Sequence, residues 1–193
     1  MTFSETHARK AVNFFERALV HCDGEWAGKV FVLMPWQREM IRTLFGTLRD
    51  DGTRQYRTCY VEIPRKSGKS ETAAGIALYL LFADKEMGAQ IYGAAGDRDQ
   101  ASIVFRVAAE MVRRSPVLSK EAKVIDSTKR IVVMKTASFY RAIPADASGS
   151  HGFNASGVVV DEVHVQPNRD LIDVLNDEID ELDEIDEFVE IDE

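Results

Sequence analysis

Residues 61–70 constrain the fold of this chain more than any other segment. They are typical of a strand, a tight loop that holds Gly68-Lys69-Ser70, and the start of a helix. Backbone N–H groups of such a loop and of the helix N-terminus bind phosphate groups. Lys69 adds a positive charge for the outer phosphates, and Ser70 offers a hydroxyl to a magnesium ion. The segment therefore predicts a triphosphate-binding loop, although the pattern G-x-x-x-x-G-K-[ST] requires glycine where this chain has Ile63.

Strands and helices alternate along the rest of the chain. Apolar spacing predicts helices over residues 5–21, from Pro35, over 69–82 and from Asp97 to about Arg114. Strands are predicted over residues 56–63, 89–94 and 157–160, with a hairpin or meander over 124–135 and 138–143. This order predicts an α/β domain with a mainly parallel sheet, in which ligands lie beyond the carboxyl ends of the strands.

A second motif follows the apolar strand Val158-Val159-Val160. Here Asp161 is predicted to hold Mg²⁺, and Glu162 to orient or deprotonate an attacking water. The alternative is a strand followed by an acidic helix cap. Because both this motif and the Gly68-Lys69-Ser70 loop follow strand ends, we expect them to meet at one edge of the sheet.

Three further side chains are candidates with open alternatives. Arg65 lies in the loop and either stabilises charge on the γ-phosphate or is an exposed residue that contacts solvent or DNA phosphate. Lys66 is open to the same two interpretations. Gln37 can present a donor and an acceptor to adenine, or simply belong to a helix start beside a buried Trp36.

Charge is distributed unevenly. Residues 176–193 hold eleven Asp or Glu and no Lys or Arg, which leaves 21 acidic and 24 basic residues, or about +3, in the rest. A mildly basic body fits modest affinity for DNA. The acidic segment predicts a disordered tail. Its alternatives are a mimic of DNA that masks the basic body, or the product of a truncated, split or frameshifted gene.

Other composition features exclude several classes of protein. The two cysteines, Cys22 and Cys59, lack metal-site spacing and predict packed thiols in a reduced intracellular protein. Neither a signal peptide nor a bilayer-spanning apolar run is visible, so we expect a soluble cytoplasmic protein without a membrane partner. Histidines lack metal spacing too, and His7 and His21 are expected at the surface.

Together these motifs resemble the ATPase domain of the large terminase subunit of tailed phages. The likeness covers residues 8–175. It is carried by Leu33-Met34-Pro35-Trp36-Gln37, Asp51-Gly52-Thr53-Arg54-Gln55-Tyr56-Arg57, Glu62-Ile63-Pro64-Arg65-Lys66-Ser67-Gly68-Lys69-Ser70, Gly93-Ala94-Ala95-Gly96-Asp97-Arg98-Asp99-Gln100-Ala101 and Val160-Asp161-Glu162-Val163-His164. The resemblance implies a P-loop NTPase-like fold of the ASCE type, whose mainly parallel sheet is flanked by helices and incomplete at the C-terminus.

The resemblance also implies site residues and partners. ATP and Mg²⁺ are the implied cofactors. Adenine would contact Gln37, the phosphates would contact the loop, and Glu162 and Arg65 would be catalytic. The loop residues are Arg65, Lys66, Ser67, Gly68, Lys69 and Ser70; the metal ligands are Ser70 and Asp161. Residues 93–101 would couple the site to movement. Implied partners are double-stranded DNA, the terminase small subunit and the portal, with a ring of identical subunits.

Two departures from the family pattern complete the prediction. A further core strand after Asp161 and a nuclease domain are expected to be absent, and residues 176–193 to lie outside the ATPase domain of residues 1–175. The chain is thus predicted to be an ATP-driven DNA-packaging motor domain. The alternatives are a truncated prophage-derived domain that binds DNA or partners without hydrolysing ATP, and a helicase-like ATPase.

Overall fold

Helices and strands alternate along the chain in the predicted order. The computed structural model describes residues 1–64, 66–95, 98–144, 154–161 and 187–192. The helices are α1 (Glu5–Ala18), α2 (Pro35–Gly46), α3 (Lys69–Ala83), α4 (Arg98–Arg114) and α5 (Leu118–Glu121), with 3₁₀ turns at Gly24–Trp26 and Asp126–Thr128. The strands are β1 (Thr2–Phe3), β2 (Thr47–Leu48), β3 (Thr58–Glu62), β4 (Gln90–Ala95), β5 (Ala122–Ile125), β6 (Arg130–Val133), β7 (Ser138–Pro144), β8 (Gly157–Asp161) and β9 (Glu187–Asp192).

The main sheet has the order β3-β9-β8-β4-β7-β6-β5. Its first five strands are parallel neighbours, whereas β7, β6 and β5 form an antiparallel meander. Strands β1 and β2 form a separate antiparallel pair. The prediction of an α/β domain with a mainly parallel sheet is confirmed, as is the meander near its edge.

Strand β9 overturns the prediction for the acidic segment. Glu187–Asp192 pairs in parallel with β3 on one side and with β8 on the other. The prediction of a disordered tail is therefore wrong for these six residues, and so is the prediction that no core strand follows Asp161. Hydrogen-bond ladders on both sides pair the backbone N–H and C=O groups of the strand. This stabilisation comes from the neighbouring strands and cannot be recognised from the acidic composition of the segment. Residues 162–186 lie outside the described part, so the boundary near 175 stays a prediction.

Helix α3 is buried almost all round and forms the centre of the core. Every residue from Thr72 to Leu81 is buried. Its Gly75 lets α1 approach closely, because a Cβ atom there would lie 2.3 Å from Cε1 of Phe15. Phe15 has no exposed surface, and burying such a ring stabilises the fold by about 1.5–3 kcal/mol. The packing of α1 thus fixes the helix that follows the predicted phosphate loop.

The ends of α1 and α2 follow from their sequences. Ser4 caps α1 by accepting a hydrogen bond from the His7 N–H. Helix α2 begins at Pro35, whose fixed φ suits the first helical position. Across the described ranges, every helix is too short or too polar to cross a lipid bilayer.

Candidate nucleotide-binding site

The predicted phosphate loop joins β3 to the N-terminus of α3. Two of its residues have a left-handed backbone, Lys66 with φ +67° and Gly68 with φ +82°. Glycine adopts this conformation without strain, which explains its presence directly before the helix. The Gly68 carbonyl accepts bonds from the backbone N–H of Thr72 at 3.0 Å and from its Oγ1 at 2.9 Å. The loop is therefore anchored to the first turn of α3, where the helix dipole favours an anion.

Lys69 and Asp161 meet at the carboxyl edge of the sheet. The Nζ atom of Lys69 lies 3.5 Å from Oδ1 of Asp161, and both side chains are largely buried. Lys69 opens α3, and Asp161 ends β8, which is separated from β3 by β9 alone. The prediction that these two motifs meet is confirmed. The pair lies at the carboxyl ends of parallel strands, which is where ligands of such sheets bind.

Gln37 is buried and makes two hydrogen bonds within the protein. It is 2% exposed. Its Oε1 accepts a hydrogen bond from the Met34 N–H at 2.8 Å, and its Nε2 donates to Oγ1 of Thr72 at 2.8 Å. Thr72 in turn bonds the Gly68 carbonyl, so Gln37 connects the start of α2 to the phosphate loop. The contact with adenine stays a prediction.

A cavity of about 880 Å³ opens beside the loop. This volume falls in the range of small-molecule sites, roughly 300–1,000 Å³. Its walls are the loop, the first turn of α3, one face of α4 and the segment after α1. The lining residues are Cys22, Asp23, Lys66, Gly68, Lys69, Ser70, Glu71, Ile103, Arg106, Val107 and Glu110.

The segment after α1, which contains His21, Cys22 and Asp23, lies at the site. The sequence did not predict this position. His21 was expected at the surface, but its Nδ1 lies 2.9 Å from Oε2 of Glu71, and its ring stacks on Phe31. Oε1 of Glu71 accepts a bond from the Cys22 N–H at 3.1 Å. Burial, followed by the charges of Glu71 and Asp23, raises the pKa of the Cys22 thiol to about 12. In the sequence, the only indication that Glu71 lies at the site is its position directly after Ser70.

Other predicted site residues divide into two groups. Lys66 is exposed and Ser67 half-buried in the loop, and Ser70 lines the cavity from the first turn of α3. Arg65 and Glu162 lie outside the described residues, as do Gly96 and Asp97 of the predicted coupling segment, so their roles stay predictions.

The donor set at this edge fits magnesium. The ion prefers oxygen ligands and is commonly held by one or two protein groups, with phosphate and water oxygens completing its shell. Ser70 offers a hydroxyl and Asp161 a carboxylate that is 4% exposed. Within the ranges that the structure covers, three or more His, Cys, Asp or Glu side chains nowhere form a metal-holding group.

Comparison with known proteins decides the family. The family described as "Terminase large subunit, ATPase domain" matches residues 35–190. The chain belongs to this family. The matched range includes residues 176–190 of the acidic segment, and the domain boundary near 175 stays a prediction.

Individual relatives agree with that assignment. A large terminase subunit from Enterobacteria phage HK97 is 28% identical over 173 residues, which is 88% of this terminase-family chain and 33% of that protein. The crystal structure of the HK97 large terminase matches with a TM-score of 0.81 and 26% identity, covering 96% of this chain and 37% of that one. The ATPase domain of the Thermus phage P74-26 large terminase, at 23% identity and a TM-score of 0.57, covers 71% of this chain and 60% of its own and shows the shared fold alone. The chain spans about a third of the length of the HK97 proteins it matches.

Proposed function

We propose that this chain is the ATP-binding motor domain of a phage terminase and couples ATP hydrolysis to packaging of double-stranded DNA. The observation that carries the proposal is the pairing of Lys69 with Asp161 at 3.5 Å beside the Gly68 turn. Cations, backbone N–H groups and a carboxylate converge there, as binding of a magnesium triphosphate requires. Family membership over residues 35–190 supports the same activity.

Each side chain at the site has a proposed part. Lys69 and the N-terminus of α3 bind the outer phosphates. Ser70 and Asp161 hold Mg²⁺, which when bound neutralises charge on the β- and γ-phosphates. Gln37 fixes the loop through Thr72 and contacts adenine with the remaining N–H of its amide.

Residues around this core have proposed catalytic parts. Glu162 orients or deprotonates the attacking water, as the sequence predicts. Arg65 stabilises the charge that develops on the γ-phosphate. Lys66 and Ser67 complete the loop around the phosphates.

Assembly with partners follows from the same proposal. The domain acts in the host cytoplasm as part of a ring of identical subunits, on double-stranded DNA, with the terminase small subunit and the portal. Binding of the mildly basic body to DNA phosphates predicts an affinity that falls steeply with salt.

Nucleotide binding and turnover test the proposal. Wild type, Lys69→Ala and Glu162→Gln would be compared by titration with a fluorescent ATP analogue and by phosphate release, with Lys120→Ala as an exposed control. We expect Lys69→Ala to abolish binding, Glu162→Gln to bind without turnover, and Lys120→Ala to behave as wild type. A wild-type chain that folds but binds no Mg-ATP would refute the proposal and favour a domain that binds DNA or partners without hydrolysis.

A further inference from the structure

Among the described residues, the buried hydroxyl of Tyr140 has no hydrogen-bond partner. Tyr140 lies in β7, has no exposed surface, and stacks its ring on Phe105 of α4 with 8° between the planes. Its Oη atom makes no hydrogen bond in the portion of the chain that the structure covers. Such a group loses its water contacts on folding and gains nothing in return, so a retained one calls for an explanation.

The phenol reaches across β4 toward the strand of Asp161. A Cβ atom at Gly93 in β4 would lie 2.1 Å from the Tyr140 hydroxyl oxygen and 2.8 Å from its Cζ. Gly93 pairs with Val159 of β8, and Asp161 follows two residues later on the same face of the sheet. Burial, and after it the charge of Asp161, raise the pKa of Tyr140. The hydroxyl therefore lies in the field of that carboxylate.

Packing alone does not explain this arrangement. A phenylalanine would give the core the same ring without the unsatisfied hydroxyl. Gly93 weakens a strand interior, and its use at this point follows from the close approach of Tyr140. A strand-interior glycine and a buried hydroxyl without a partner among the described residues thus lie side by side, on the face of the sheet that also carries Asp161.

We propose that Tyr140 is a positioning residue, whose hydroxyl donates to the Asp161 carboxylate, directly or through one buried water, when that carboxylate holds Mg²⁺. Carboxylates that ligate metals are commonly oriented by such outer hydrogen bonds. Gly93 is the residue that makes room for the hydroxyl. The inference rests on the proposed function, because it assigns Asp161 to the ion.

The test removes the Tyr140 hydroxyl and measures the effect on binding of Mg²⁺ and Mn²⁺. For Tyr140→Phe, the Mg²⁺ concentration that gives half-maximal binding of a fluorescent ATP analogue would be measured, together with direct Mn²⁺ binding by electron paramagnetic resonance. We expect both midpoints to rise about tenfold or more. Nucleotide affinity at saturating Mg²⁺ stays as in wild type, and the melting temperature is equal or higher because no hydrogen bond is lost.

A matched control uses the other buried phenol of this region. Tyr92 lies next to Gly93 but on the opposite face, and its hydroxyl donates to Oε1 of Gln90 at 2.8 Å. Tyr92→Phe is expected to leave the Mg²⁺ midpoint unchanged. In addition, Tyr140→Phe should cause no further loss of Mn²⁺ binding in an Asp161→Asn background, since a group that acts through Asp161 is not additive with it.

Several results would overturn the inference. A wild-type Mg²⁺ midpoint in Tyr140→Phe would do so, and so would a lower melting temperature, which would make the hydroxyl a structural group. If Tyr140→Phe and Asp161→Asn caused additive losses of Mn²⁺ binding in the double variant, the Tyr140 hydroxyl would not act through Asp161. A wild-type chain without any Mg-dependent nucleotide binding would refute the proposed function and this inference with it.

Discussion

Replacing Gln37 by alanine tests the link between α2 and the phosphate loop. The variant loses the acceptor for the Met34 N–H and the donor for Thr72 Oγ1. Because Gln37 is 2% exposed, water has little access to either bond. We therefore expect a loss of folding stability even without nucleotide, which an adenine contact alone would not cause.

The size of the loss follows from the lost contacts. Removing a helix N-terminal bond costs about 1 kcal/mol, and the buried bond to Thr72 contributes roughly 0.5–1.5 kcal/mol. The buried methylene adds about 0.8 kcal/mol. The freed rotamer entropy of glutamine offsets part of this sum. We expect a net destabilisation of about 2 kcal/mol, which corresponds to a fall in Tm of about 4–8 °C for a domain of this size.

Urea unfolding followed by circular dichroism measures this change. A double-mutant cycle with Thr72→Val isolates the Gln37–Thr72 bond, and we expect a coupling energy of about 1 kcal/mol. Binding of both ATP and GTP should weaken, because the loop itself is affected, and ATP binding should weaken more because the proposed adenine contact is lost as well. Unchanged stability with a selective loss of ATP affinity would refute the structural role and favour a pure adenine contact.

Three further predictions follow from the fold. Deletion of residues 187–193 should abolish cooperative urea unfolding, because β3 and β8 lose the strand between them; a truncated chain that unfolds like wild type would contradict this. The pKa of Cys22 is raised to about 12, so roughly one thiol in ten thousand is deprotonated at pH 8. Thiol reagents should therefore modify Cys59 first and Cys22 only after denaturation. Burial raises the pKa of Glu86, so its contribution to stability falls as pH rises from the ordinary carboxyl range through that raised value; Glu86→Gln should melt above wild type at pH 7 and equal it below pH 4.

The sequence predicted the elements whose signals are local. The loop around Gly68-Lys69-Ser70 and the apolar strand before Asp161 are short-range patterns, and strand parallelism brings their ends together. Residues 187–192 gave no such signal, because Glu187-Phe188-Val189-Glu190-Ile191-Asp192 lacks strict alternation of polar and apolar residues and its carboxylates resemble a solvated tail unless the neighbouring strands are known. The partners of Gln37 and His21 depend on how α1 and α2 pack against α3, which periodicity does not specify.

The position of β9 has a consequence for the order of folding. A nascent chain that has emerged as far as Asp161 already contains Lys69 and its carboxylate partner, but it lacks the strand that sets the spacing between their two strands. Domains form from the N-terminus as synthesis proceeds, at about 5–20 residues per second, and pairings between distant segments are the slow ones. Binding competence should therefore appear late and abruptly, when residues 187–192 insert, and not grow in step with chain length.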